Sequence, residues 1–132
     1  MAGWRSLCIF LMACSAPGLA AAQPDAQRQY GLGLAAFEAG NFKAAERAFA
    51  RSVRFAPDSV SPRRDLALAE AMQGESTKAA SELGVLTARW RACDQACPEA
   101  ADLQAAIDEV QKALGMGSPS AALPLHGDYR FS

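Results

Sequence analysis

Histidine is nearly absent from this sequence: His126 is the only one in 132 residues. That excludes a Ser/His/Asp set built with an upstream histidine, and it excludes a helical pair of histidine ligands. No glycine-rich loop is present to cradle a phosphate. Paired acids such as Asp108 and Glu109 are neighbours in sequence, so on a helix they point to different sides and read as solvent-facing. An enzyme is therefore not expected, and no cofactor is implied. Charge of one sign is missing too. The net charge of −1 gives no global pull toward nucleic acid or an anionic membrane. Aromatic residues make up 8% and alanine inflates the 51% hydrophobic content, which allows one small domain with a modest core. Period-two alternation of the kind a sheet needs is not found.

Long apolar runs are also lacking. The longest, residues 7–13, is far short of the roughly 20 residues that span a bilayer, so no transmembrane segment is expected. Its setting suits another purpose. Arg5 gives a positive start, Pro17 and Gly18 break the run, and Ala20-Ala21-Ala22 supplies small residues before Gln23. This is the order of a cleavable secretory signal over residues 1–22, and it predicts a periplasmic or secreted protein. Leu11-Met12-Ala13-Cys14 is also similar to a bacterial lipobox, which offers an alternative: a lipid anchor at Cys14. Without lipidation, Cys8 and Cys14 leave with the signal.

What remains is helical in pattern. After a short polar lead-in at 23–27, Tyr30, Leu32, Leu34, Ala35 and Phe37 cover much of one helical surface from Arg28 onward. Gly40-Asn41 ends that helix and caps the next. The second helix runs from Phe42 to about Phe55, with Phe42, Ala45, Ala48, Phe49, Ser52, Val53 and Phe55 inward, and Pro57 stops it. Ser61-Pro62 reads as cap and first residue of a third helix reaching about Met72. After Gly74, Ser76 or Thr77 opens a fourth through Ala79, Leu83, Leu86 and Trp90. Leu103, Ala106, Ile107, Val110, Ala113 and Leu114 then form one apolar stripe over Pro98–Leu114. Residues 115–132 carry Gly, Pro and Ser without periodicity and read as a mobile tail, with Leu123, Leu125, Tyr129 and Phe131 as candidates to lie back in a groove.

The first two hairpins answer each other at a period of 34 residues. Leu32 falls on Leu66, Gly33 on Ala67, Gly40 on Gly74, Ala45 on Ala79 and Phe49 on Leu83. Together with Gln29 and Pro57, this series resembles the tetratricopeptide repeat (TPR), a helical hairpin with a Leu-Gly, Ala-x3-Phe and Pro signature. Two repeats are expected over 28–92. Arg63 and Glu70 depart from the pattern in the second, and the series does not recur after Asp94. The fold class is thus all-α: a short helical-hairpin array of four repeat helices plus a capping helix at 93–114, which closes the apolar end left by Leu83, Leu86 and Trp90. The small residues have a physical task. Gly33 and Ala67, facing Ala45 and Ala79, let helix axes approach to about 8–10 Å. A generic alanine-rich bundle is the bland alternative.

The resemblance implies a non-catalytic adaptor or scaffold that binds a protein or peptide in a concave groove lined by first helices. In this chain those positions are Tyr30, Leu34, Phe37 and Glu38, then Arg64, Asp65, Leu68 and Met72. Taken with the signal segment, the expected partner is a protein or peptide of the cell envelope. Members of the family that hold a chaperone's C-terminal carboxylate use Lys and Asn there, so that role is disfavoured. The resemblance also places second helices on the convex side. Lys43, Arg47, Arg51 and Arg54 then form a solvated basic face, with an anionic partner site as the alternative.

Cys93-x3-Cys97-Pro98 is the sharpest local feature. Pro98 disfavours helix at Cys97, so the thiols should flank a tight turn. In an oxidising compartment such a pair forms a disulfide, here one that fixes the cap angle. A local similarity to the copper site of Sco-type proteins keeps a second reading open: a periplasmic copper or thiol-redox carrier. That family adds a histidine ligand and a strand-rich scaffold, neither matched here. Four zinc ligands are not available in the processed chain.

Overall fold

A computed structural model describes residues 18–94 and 96–116, with side-chain surroundings from Pro24 onward. The signal's apolar run, Cys14, His126 and the tail's Leu123, Leu125, Tyr129 and Phe131 lie outside the described residues. Five helices follow one another: α1 (Gly18–Glu38), α2 (Phe42–Phe55), α3 (Val60–Met72), α4 (Ser76–Ala92) and α5 (Ala100–Ala113). Among the described residues there is no strand, and no helix is long and apolar enough to cross a membrane.

α1 and α2 form the first hairpin and α3 and α4 the second, and each helix packs on its successor. α2 ends at Phe55 as expected, and the Asn41 side chain caps it by accepting the Ala44 N–H at 3.2 Å. Three helix starts differ from expectation, α5 by opening at Ala100 rather than Pro98. α1 begins at Gly18 rather than Arg28, because the alanines before Gln23 have the highest helix propensity and carry the helix across Pro24. α3 begins at Val60, so Pro62 sits in its first turn, where the missing N–H costs nothing.

The core falls into two clusters that share α3. Ala45, Phe49, Leu66 and Ala69 form the first, with Tyr30, Phe37 and Val53 packed against it. The second unites Ala67, Ala79, Leu83 and Leu86 with Leu103, Ala106, Ile107 and Val110 of α5. Phe49 and Leu86 are completely buried, each contributing about 1.5–3 kcal/mol. A Cβ at Gly33 would collide with the Phe49 ring, so α1 approaches α2 only because this residue has no side chain. Leu32 and Leu34 behave otherwise than the pattern suggests: they are 56% and 38% exposed. Leu66, one repeat later than Leu32, is 5% exposed because α2 precedes it. Among the described residues nothing precedes α1 in this way.

α5 does more than close the end. Gly40, Gly74 and Gly115 all adopt positive φ, at 75°, 77° and 70°. Each terminates its helix with the same pair of backbone bonds: Gly40 N–H to Phe37 O and Asn41 N–H to Ala36 O, Gly74 to Ala71 and Glu75 to Glu70, Gly115 to Lys112 and Met116 to Gln111. This is the six-to-one closure that left-handed glycine permits. Counting back eight residues from each glycine reaches Leu32, Leu66 and Ile107; counting back seven reaches Gly33, Ala67 and Asp108. Ile107, like Leu66, is buried at 4%. α5 packs on both α3 and α4, in the manner of the first helix of a third hairpin. Its sequence departs from the 34-residue series, which is why only the geometry shows this.

Between α4 and α5 the chain reverses at Asp94, whose φ of 47° is tolerated by a short polar side chain. The Cα atoms of Cys93 and Cys97 lie 5.3 Å apart, within disulfide range, and both residues pack against the second core cluster.

Candidate functional site

Residues of α1, α3 and α5 face one another across an opening near the N-terminal ends of α3 and α5. An open pocket of about 580 Å³ lies there, lined from α1 by Ala26, Gln27 and Tyr30, from α2 by Ser52, from the following turn and α3 by residues 58–62, and from α5 by Asp102 with Glu99 just before it. Its floor is fixed by two bonds between elements. Ser52 Oγ donates to Ala26 O at 2.8 Å, and the Tyr30 hydroxyl donates to Asp65 Oδ2 at 2.7 Å.

Asp65 is a buried hub. It also accepts from Arg64 Nε at 2.7 Å, and Arg64 reaches Glu109 of α5 at 3.4 Å. One chain of polar contacts therefore ties α1 to α3 and α3 to α5. Burial, then the bond and charge of Asp65, push the Tyr30 hydroxyl up to about 12, so it stays a donor throughout the physiological range. The bond to Asp65 raises the Arg64 guanidinium further, against the effect of its own burial.

The pocket's polar rim is acidic: Asp58, Glu99 and Asp102, with no lysine or arginine among its lining residues. Arg89 holds Glu99 at 3.3 Å, whereas Asp58 and Asp102 have no ion-pair partner among the described residues. Tyr30, Val60 and Pro62 supply apolar wall. Such a site suits a cationic group on an apolar stem.

The residues singled out from sequence separate into three roles. Tyr30 lines the pocket and Arg64 braces it. Phe37 packs edge-on against Phe42 at 5.1 Å and Leu68 lies on the second core cluster, so both face inward, while Asp65 is 7% exposed. Leu34, Glu38 and Met72 are open to solvent on α1 and α3. Sequence reasoning missed Ala26, Gln27, Asp58 and Asp102. The only signal was the acids just before or within the first turns of helices, which read equally as ordinary helix starts. Among the described residues no three His, Cys, Asp or Glu side chains gather as a metal site requires.

A second polar cluster is buried between α2, α3 and α4. Glu70, 5% exposed, has a carboxylate oxygen without a partner. Burial, reinforced by the charges of Glu82 and Glu46 and offset in part by Lys78, pushes its carboxyl up to about 7. Glu46 goes the other way. Burial alone would raise it, but bonds from Gln73 and Lys78 hold it below the ordinary carboxylate value.

These hairpins, with a glycine at the close crossing and first helices converging on an open pocket, define a helical-repeat binding protein. The sequence matches the tetratricopeptide repeat family over residues 18–60 and again over 30–92, together more than half of the chain. The chain belongs to that family. Its repeats make it a protein–protein interaction module, and the family's members are in general non-catalytic scaffolds. No curated protein and no solved structure matches the chain significantly.

Proposed function

We propose that this is an exported adaptor whose pocket holds a segment of another envelope protein, by a lysine or arginine side chain inserted among Tyr30, Val60 and Pro62. The observation that carries this reading is the acidic rim, with Asp58 and Asp102 free of ion-pair partners among the described residues, beside an apolar wall. Extended and helical peptides both dock by placing side chains in such pockets. Export rests on the signal pattern, and Pro24 supports it. Cleavage after Ala22 would leave this proline in the first turn of α1, where proline is favoured, instead of in the helix interior. In an oxidising compartment Cys93 and Cys97 form the disulfide that their 5.3 Å separation permits.

A photo-crosslinking residue at Ser61, exposed in the pocket, tests the assignment in intact cells. It should capture a discrete envelope protein, and Asp58→Lys with Asp102→Lys should abolish capture while the same crosslinker at Lys43, on α2, captures nothing. Equal capture from both positions, or none from Ser61, sinks the reading. Mass measurement of the exported protein checks the cysteines: a signal-free chain two protons light supports the disulfide, and free thiols with stoichiometric copper support a carrier instead.

A further inference from the structure

The open end of the array carries a second feature. Leu32 is exposed although its repeat counterparts Leu66 and Ile107 are buried by a neighbouring helix. It borders a groove of about 530 Å³ between α1 and α2, lined also by Gln29, Ala36, Ala44, Arg47, Ala48 and Arg51. The floor is small and apolar, and both charged residues are arginines. Neither Arg47 nor Arg51 has an acidic partner among the described residues, and no acid lines the groove. On α5, Gln104, Asp108 and Lys112 follow at helical spacing as a polar face, half-buried at the first two and exposed at Lys112.

We infer that this N-terminal groove is a protein-docking site, separate from the pocket, for an acidic amphipathic helix of another protein. The helix seats an apolar side chain beside Leu32, as Phe49 sits beside Leu66, and aligns carboxylates with Arg47 and Arg51. Charge decides among the occupants. Residues 1–17 contain no acid, and residues 117–132 contain one, Asp128, with Arg130 beside it. A second copy meeting this face symmetrically would set arginines against arginines. A separate acidic helix satisfies both the apolar floor and the cationic flanks.

The test uses two synthetic helices that share leucines at i, i+3, i+4 and i+7, one with glutamates outside the stripe and one with lysines. Fluorescence anisotropy with the full chain should show binding of the glutamate helix only. Arg47→Glu with Arg51→Glu should weaken it at least tenfold and create binding of the lysine helix, and Leu32→Gln should weaken both interactions. Circular dichroism confirms that these surface variants fold. Asp58→Lys with Asp102→Lys, which disables the pocket, should leave this binding unchanged, so failure of one site is distinguishable from failure of the other. Binding insensitive to the charge reversal overturns the inference. So does binding of anionic phosphatidylglycerol vesicles in place of the peptide, or self-association that Leu32→Gln abolishes.

Discussion

Gly33 and the Phe49 ring lie so close that no carbon atom fits between them. The contact sets the spacing of the first hairpin, and it separates two glycines that a propensity argument would treat alike.

Gly33→Ala should therefore destabilise the protein by about 1–3 kcal/mol, the cost of overpacking, despite the roughly 1 kcal/mol that alanine gains in a helix. Gly31→Ala, where a new Cβ meets nothing within 4 Å, should stabilise by about 0.5–1 kcal/mol. Urea denaturation of the two variants checks the contrast.

Glu70 should make stability fall as pH rises. Its folded value of about 7 lies above the ordinary 4.5, so the native state holds the proton more tightly than the unfolded chain. Its contribution is complete below pH 4.5 and is lost as pH rises through 7. Glu46, held low by Gln73 and Lys78, loses its contribution only below 4.5, so it does not distort this window. Melting temperatures between pH 5 and 8 should decline for the natural chain, and Glu70→Gln should flatten that slope.

Tyr30 should titrate far above a free tyrosine, near pH 12, in ultraviolet absorbance. Tyr30→Phe removes the bond to Asp65 and should cost about 0.5–1.5 kcal/mol. The loss should be at the lower end, because Arg64 still satisfies Asp65.

Ile107→Asp should cost about 3 kcal/mol or more, since the site is 4% exposed and offers the carboxylate no cation in the second core cluster. Ending the chain at Cys97 should act similarly by uncovering Leu83 and Leu86, and it should show as aggregation or a sharply lower melting temperature. Ending it at Met116 should leave the melting curve nearly unchanged.

With the proposed disulfide formed, Cys93→Ser should lower stability by no more than about 2 kcal/mol, because the loop that a Cys93–Cys97 bridge closes is short. Dithiothreitol should produce the same shift in the natural chain and none in the variant.

The repeat was legible because its physics is local and recurs. Gly33, Ala45 and Phe49 state a close crossing, and Ala67, Ala79 and Leu83 state it again 34 residues later. α5 was legible as an amphipathic helix but not as one placed like the first helix of a hairpin, since that likeness lies in Gly115 and in buried register, not in residue identity. The pocket was the least legible part. Asp58 and Asp102 are 44 positions apart, and only the packing of α5 on α3 brings them to one rim. Leu32 and Leu34 misled for a related reason: periodicity names the face of a helix, and not whether a neighbour exists to cover it.

Asp108 stands where Gly33 and Ala67 stand in their own hairpins, and its side chain accepts a bond from Gln104 at 3.0 Å. A further helix crossing there would have to strip water from that carboxylate and find room for it. A further helix crossing at this position would thus have to accommodate one carboxylate where the earlier hairpins have glycine and alanine. Exchanging Asp108 for glycine and appending a consensus second helix after Gly115 is the shortest route to a longer protein of this design.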